Sequence, residues 1–208
     1  METSGVNKRP SGDRRVRRTQ ATLHSALIEL VAGRDLAHIT VADVAERADI
    51  NRSTFYAHYQ DVHELAEAAC TAMIDDLIAS LPEPDQVSSD PKQGVTESMR
   101  QFFARFGEHA NLYRSLLGPQ GSARIIDYVR RRVTEGIHAS TRPTHPGDEI
   151  PPGASANAHD VSAAFVAGAL VGVAIDWLQR GCPQSPAEMA ALVSPPLMGI
   201  YEAPADRR

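Results

Sequence analysis

Arg52, Ser53 and Thr54 follow one another, and Tyr56, His58 and Tyr59 stand within the next five positions. Arginine supplies a forked donor that matches the O6/N7 edge of guanine, hydroxyls can address bases or phosphates, and Tyr and His can place donors towards phosphate oxygens. This is chemistry for reading a DNA groove. It needs the first turn of a helix presented outward, and residues 40–59, TVADVAERADINRSTFYAHY, contain the signals for one. Thr40-Val-Ala-Asp43 resembles a capping box and opens a short helix to about Ala48. Asn51 can cap a second helix through Tyr59 after a turn of three or four residues. Two short helices so joined form a helix-turn-helix, whose second helix enters the major groove. Phe55 is the expected apolar anchor, seated on Val44 and Leu23. Thr40 and Asn51 also read simply as helix caps, and Tyr59 as a core residue.

Charge is distributed to suit that reading. The 208 residues carry 21 Lys+Arg and 26 Asp+Glu, a formal net charge of −5, which argues against a uniformly basic nucleic-acid coat. Residues 1–60 nevertheless hold nine basic and seven acidic side chains. Lys8, Arg9, Arg14, Arg15, Arg17 and Arg18 face only Asp13, a local excess of five positive charges. Residues 1–14 are expected to be a disordered basic arm, read either as a solvated tail or as a DNA-contacting one.

The elements that must position these residues are helical throughout, an all-α pattern without repeats. Leu23, Ala26, Leu27, Leu30 and Val31 form a stripe ended by Gly33. Asp61-Val-His-Glu64 opens a long helix towards Leu81, broken by Pro82 and Pro84. Further helical faces follow at Val95–Phe106 and Leu112–Leu117, then a Gly118-Pro-Gln-Gly121 turn and a helix with Ile125, Val129, Val133 and Ile137 on one side. Residues 141–155, rich in Pro and Gly, are a long connection. The most apolar helix spans about 158–180 and is closed by Gly181 and Pro183, and Ser185-Pro-Ala-Glu188 starts the last.

The run from about Arg15 to Leu65 resembles the DNA-binding domain of the TetR (TetR/AcrR) family of bacterial transcription regulators. The T-V-x-D-V-A start, the A-x-I-x-R-x-T-F-Y segment and the Y-x-D-x-x-E-L entry into the fourth helix fall in register without a gap. The resemblance implies an amino-terminal three-helix DNA-binding domain over residues 15–62 and a larger helical bundle over 63–208 for ligand binding and dimerisation. It carries DNA contact over to Thr40, Arg52, Ser53, Thr54, Tyr56 and His58, and Arg15 and Arg18 join them from the basic segment. Two positions depart from the family. Asp49 stands where Gly is usual in the turn, and Asp adopts a left-handed backbone less freely than Gly. Val62 stands where a phosphate-binding Lys is favoured, so one backbone contact is lost, with His63 or the basic arm as replacements.

The 158–180 helix is apolar nearly all round and must be covered on more than one side. Val166, Leu170, Val173 and Trp177 form a bulky face for the subunit core, while Val161, Ala164, Gly168, Gly172 and Ile175 form a small-residue stripe suited to a second copy of the helix. The family resemblance implies the same homodimer, through the last two long helices, on a palindromic operator. It also implies a small-molecule pocket, for which Met73, Met99, Phe102, Phe103, Phe106, Tyr113, Tyr128, Phe165 and Trp177 are the candidate lining and a hydrophobic or aromatic effector the candidate occupant. Each of these residues also reads as plain core. Arg130, Arg131 and Arg132 with Asp127 and Glu135 read as an ion-paired outer face.

Phosphate-loop, H-E-x-x-H, G-x-S-x-G and C-x-x-C motifs are missing, and the eight His residues lack metal-ligand spacing, so no catalytic residue, cofactor or metal is expected. Cys70 and Cys182 are expected to be reduced. The polar amino terminus and the 15-residue length of the apolar run Val161–Ile175 point to a cytoplasmic protein. The expected partners are double-stranded operator DNA, a second copy of the chain and a small effector. A constitutive binder without an effector is the alternative.

Overall fold

The computed structural model describes residues 11–81, 91–119, 121–140 and 156–202. The chain divides between Ala69 and Cys70 into two units. In the first, α1 spans Ser11–Gly33, a 3-10 turn spans Leu36–His38, α2 spans Val41–Arg47, α3 spans Arg52–Tyr56 and α4 begins at Val62. Leu23, Ala26, Leu27 and Val31 of α1 are buried at helical spacing, with Leu30 at the margin. The 3-10 turn is absent from the sequence pattern. It forms because Asp35 Oδ1 accepts from Ala37 N (3.0 Å), and it buries Leu36 and Ile39 beside the core. α1 starts earlier than expected, so Asp13 and Arg14 belong to a helix rather than to an arm. Lys8 and Arg9 lie outside the described residues, as do Pro82, Pro84 and the 141–155 connection.

The turn between α2 and α3 is a Schellman motif. Ile50 N donates to Ala45 O (3.0 Å) and Asp49 N to Glu46 O (3.2 Å), which pairs the last carbonyls of α2. Its left-handed residue is Asp49, at φ 51°. The turn therefore keeps the geometry for which Gly is best suited, with Asp in that place. α3 is shorter than expected, because its helix ends at Tyr56 and the chain turns through Ala57 to bring Tyr59 back to the core.

The second unit holds the rest of α4 (Val62–Ser80), α5 (Pro91–Glu108), α6 (Ala110–Leu117), α7 (Ala123–Ser140), α8 (Ala156–Gln179) and α9 (Pro186–Glu202). α5 pairs with α9 and α7 with α8. Ile125, Val129 and Val133 of α7 are buried as their spacing requires. The α6–α7 turn closes through Gly121 N donating to Gly118 O (2.8 Å), and a Cβ at Gly121 would collide with the Leu116 carbonyl. α8 ends in a second Schellman motif around Gly181 (φ 81°), with Cys182 N on Trp177 O (2.9 Å). Arg114 Nε donates to Leu178 O (2.8 Å) at the same helix end. α9 opens with Pro186 behind a capping box, Ser185 N on Glu188 Oε2 (2.7 Å) and Glu188 N on Ser185 Oγ (3.3 Å). Pro195 and Pro196 sit inside α9, on its exposed side. The i−4 carbonyls they deprive of a donor, those of Ala191 and Leu192, belong to residues that are also exposed.

Ala163, Val166, Ala167, Leu170, Val171, Ala174, Trp177 and Leu178 are the buried positions of α8, a strict i, i+3, i+4 series. One expectation about this helix needs correction. Val161–Gln179 is 19 residues long and apolar enough to cross a membrane by length and composition, longer than the run ended at Asp176 suggested. One face of it is packed into the helical bundle, as in a core helix.

Because Asp49 occupies a left-handed position, Asp49→Val should lower stability by about 1 kcal/mol and Asp49→Gly should not lower it. Urea denaturation of the full chain, followed by circular dichroism, measures both.

Candidate functional site

Both α2 and α3 begin at a side-chain cap. Thr40 N and Thr40 Oγ1 donate to Asp43 Oδ2 (2.8 and 2.7 Å), and Asp43 N donates to Thr40 Oγ1 (3.2 Å), a complete capping box with Asp in the role usually given to Glu. Those hydrogen bonds, with Arg34 3.3 Å away, hold the Asp43 carboxyl below the usual carboxylate range. At α3, Asn51 Oδ1 accepts from Thr54 N (2.7 Å), Ser53 Oγ (2.7 Å) and Thr54 Oγ1 (2.8 Å). α4 starts similarly, with Glu64 N on Asp61 Oδ1 (2.8 Å) and Gln60 N on Glu64 Oε2 (2.6 Å).

The caps fix what α3 presents. Phe55 is fully buried, as are Val44 and Leu23, so the opposite side of α3 faces out. Arg52 and Ser53 are exposed and Thr54 is half-buried. Tyr56 is 58% exposed, its ring edge-on to Phe55 at 5.6 Å. His58 is half-buried. Tyr59 is in the core, where its hydroxyl meets His24 Nε2 at 2.9 Å. Burial raises the Tyr59 phenol and lowers the His24 imidazole from their ordinary values. Val62, at the position where a phosphate-binding Lys would stand, is buried, whereas His63 is exposed. Arg14, Arg15, Arg17 and Arg18 lie exposed along the first turns of α1.

The His24–Tyr59 contact was missed in the sequence. The two residues are 35 positions apart, and only the packing of α1 brings them together. The engagement of the Ser53 and Thr54 hydroxyls by Asn51 was also missed, although Asn51 stands at cap spacing from both, whereas the role of Thr40 as a cap was read.

In the second unit the candidate pocket residues do not form one group. Phe102, Phe103, Phe106, Tyr113 and Trp177 are fully buried and packed on one another. The rings of Phe106 and Tyr113 stack at 4.5 Å, those of Phe102 and Phe106 lie 4.7 Å apart, and Phe103 meets Trp177 edge-on at 5.5 Å. Burial pushes the Tyr113 phenol well above its ordinary value. Met73 and Met99 are half-buried. Tyr128 is also half-buried and donates to Asp75 Oδ1 (2.7 Å), which accepts Arg132 Nε as well (2.6 Å). Burial works against the Asp75 charge, but these two donors outweigh it and lower the carboxyl. Arg132 also pairs with Glu135, while Arg130 and Arg131 pair with Asp127, as the outer face was read. Phe165 departs from the expected lining, because it is 64% exposed on the outer face of α8.

That outer face is the small-residue stripe. Val161, Ala164, Gly168 and Gly172 are exposed and Ile175 is half-buried. Val173, expected in the core, is 38% exposed on the same side. Phe165, Val173, Leu192 and Pro196 border an apolar groove of about 440 Å³ between α8 and α9, with Asp176 and Arg180 at its lining. A Cβ built on Gly168 or Gly172 meets nothing within 4 Å. Among the described residues no group of three or more His, Cys, Asp or Glu could hold a metal, and Cys70 and Cys182 are not joined in a disulfide.

Residues 93–195 match the model of a TetR-type transcriptional regulator C-terminal region. The chain is 41% identical over 76 residues to an uncharacterized HTH-type transcriptional regulator, YxbF, of Bacillus subtilis, which covers 34% of this chain and 20% of that one. It is 30% identical over 106 residues to the HTH-type transcriptional regulator EthR of Mycolicibacterium smegmatis, covering 49% of this chain and 45% of the relative. The chain thus spans less than half the length of these relatives. The fold is similar to that of a tetR-family transcriptional regulator from Streptomyces coelicolor, with a TM-score of 0.67 at 20% identity over 88% of this chain and 80% of the other.

The cap geometry has a measurable consequence. Thr40→Ala should cost about 1 kcal/mol at neutral pH. Because the Asp43 carboxyl is lowered in the folded chain, its contribution is complete above the ordinary carboxylate range and is lost as pH falls through the lowered native value. The stability gap between the natural chain and Asp43→Asn should therefore close on acidification, as read from urea midpoints at a series of pH values.

Proposed function

We propose that the chain, as a member of the TetR family of transcriptional regulators, is a cytoplasmic DNA-binding repressor, not an enzyme, that binds a palindromic operator as a homodimer and is released by a small hydrophobic or aromatic effector. The observation that carries this reading is the presentation of α3. Its apolar side is sunk in the core through Phe55, while Arg52, Ser53 and Tyr56 face outward from a capped first turn. On this reading Arg52 takes guanine O6 and N7, Thr54 and His58 flank it, and Tyr56 reaches a phosphate. Arg15 and Arg18 add phosphate contacts from α1, joined by the basic residues before it, and Thr40 serves the interface chiefly by holding α2.

Dimerisation is supported by the exposed apolar face of α8, where Val161 and Phe165 are 68% and 64% exposed, and by the neighbouring Leu192 of α9 at 63%. Large apolar residues so concentrated on two adjacent helices mark an interaction surface. Residues 63–208 then form the dimerisation and sensing part and residues 15–62 the DNA-binding part. For the effector, the packed rings of Phe102, Phe103, Phe106, Tyr113 and Trp177 form an apolar cluster that a planar or aliphatic guest could enter only by opening it, and Met99 and Tyr128 are further candidate lining. Apolar lining matches an apolar guest.

Two tests follow from this reading. Arg52→Ala should weaken binding to a promoter duplex by about 1–3 kcal/mol and relax base preference, whereas deleting residues 1–14 should weaken binding to all duplexes and flatten its salt dependence. Fluorescence anisotropy at several salt concentrations separates the two, and an absence of salt-sensitive binding to any duplex would count against the function. Gly168→Leu and Gly172→Leu have open space in the single chain, so both should fold with full helix content yet shift the chain from dimer to monomer in light scattering.

A further inference from the structure

We propose that Trp177 is a positioning residue that couples the packed aromatic cluster to the groove between α8 and α9, so that displacing a ring in the cluster weakens dimerisation. The inference rests on the reading of the outer face of α8 as the dimer surface, and it adds how the interior of the subunit acts on that surface.

Trp177 is the only tryptophan in the chain, and its ring is fully buried, edge-on to Phe103 at 5.5 Å. On the side of α5 the indole has no slack. A Cβ built on Gly107 would stand 3.3 Å from Trp177 Cη2, tighter than ordinary van der Waals contact. The same residue holds the turn after α8 at two points. Trp177 O accepts from Cys182 N (2.9 Å), and the indole Nε1 donates to Gln184 O (3.0 Å). A shift of the indole therefore pulls on residues 182–184.

That turn is poised to respond. Cys182 is left-handed at φ 55° without being Gly, a conformation that persists only where neighbouring contacts impose it. Gln184 Oε1 is buried with no hydrogen-bond partner among the described residues, which disfavours the arrangement further. Gln184 lines the groove together with Asp176, Arg180 and Met189, so movement of the turn changes the surface offered to a second copy. The cluster itself is closed, with neighbouring rings 4.5 to 5.5 Å apart, and a guest enters only by displacing one of them. Displacement of Phe103 or Trp177 then reaches the groove through the two hydrogen bonds of Trp177. By linkage the effect is reciprocal, and the dimer takes up a guest less well than the monomer.

Gly107→Ala imitates a guest, because its methyl group presses on the indole from inside the subunit. In sedimentation velocity of the full chain over a range of concentrations, Gly107→Ala should raise the dimer dissociation constant about threefold or more. Trp177→Phe keeps an aromatic ring but has neither the indole N–H nor the atom that Gly107→Ala would press. It should weaken the dimer by a similar factor, and adding Gly107→Ala to it should change the constant no further. Trp177 does not line the groove, so its emission moves only if the turn does. That emission should shift as the natural chain is diluted from dimer to monomer, a measurement that decides the matter even if Gly107→Ala does not fold. A dimer constant unchanged by Gly107→Ala, additive effects of the two substitutions, or identical emission in dimer and monomer would each overturn the inference. A natural chain that stays monomeric at every concentration would overturn the dimer reading itself and the inference with it.

Discussion

A five-residue helix holds little more than one turn of hydrogen bonds, and nucleation alone makes so short a piece unstable in water. α3 exists because Phe55 is buried beneath it and because its start is held from outside, by the Asn51 cap and by the left-handed Asp49 in the turn before it. The rest of the amino-terminal unit depends on that constraint. Burial of Phe55 fixes the rotation of α3, and rotation decides that Arg52, Ser53 and Tyr56 face out while Tyr59 returns to the core beside His24. The capping box at Thr40 and Asp43 fixes the start of α2, against which α3 packs.

The second unit is governed by a different constraint, the disposal of an almost wholly apolar helix. One side of α8 is taken up by packing, with Trp177 edge-on to Phe103 and its indole nitrogen bonded to Gln184 O (3.0 Å). The other side carries Val161, Ala164, Phe165, Gly168 and Gly172 in the open. Full burial of a Val or Phe side chain is worth roughly 1.5–3 kcal/mol. The exposed series is therefore a substantial reserve of association energy, and the glycines allow another backbone to approach closely. Charges at Asp176 and Arg180, paired with each other at 2.7 Å, lie beside this apolar strip.

Much of this was legible in the residues because it is local. Caps act over three or four positions, so Thr40-Val-Ala-Asp43, Asn51 and Ser185-Pro-Ala-Glu188 could be located by spacing, and Gly181 could be placed at the end of a helix by its freedom at positive φ. The outward stripe of α8 was legible as well, since the i, i+3, i+4 periodicity separates Gly168 and Gly172 from Val166 and Leu170. Misplacements fell where spacing cannot choose between two environments. Val173 and Phe165 suit a core and an interface equally well by residue type, and both are exposed. Tyr128 reads as an aromatic lining residue, yet Asp75, 53 positions away, takes its hydroxyl.

By itself the sequence determined the all-helical pattern, the caps, the turn at Asp49 and the identity of the groups that could meet DNA, because each follows from residue type and near-neighbour spacing. Tertiary structure alone decided how those groups are used. It set the side of α3 that faces out, the pairing of His24 with Tyr59, the closure of Phe102, Phe103, Phe106, Tyr113 and Trp177 into one packed cluster, and the side of α8 left uncovered. The physical reason is that a hydrogen bond or a ring contact needs distance and direction to be satisfied together. Spacing along the chain supplies both only within a turn or two of helix, and beyond that range packing supplies them.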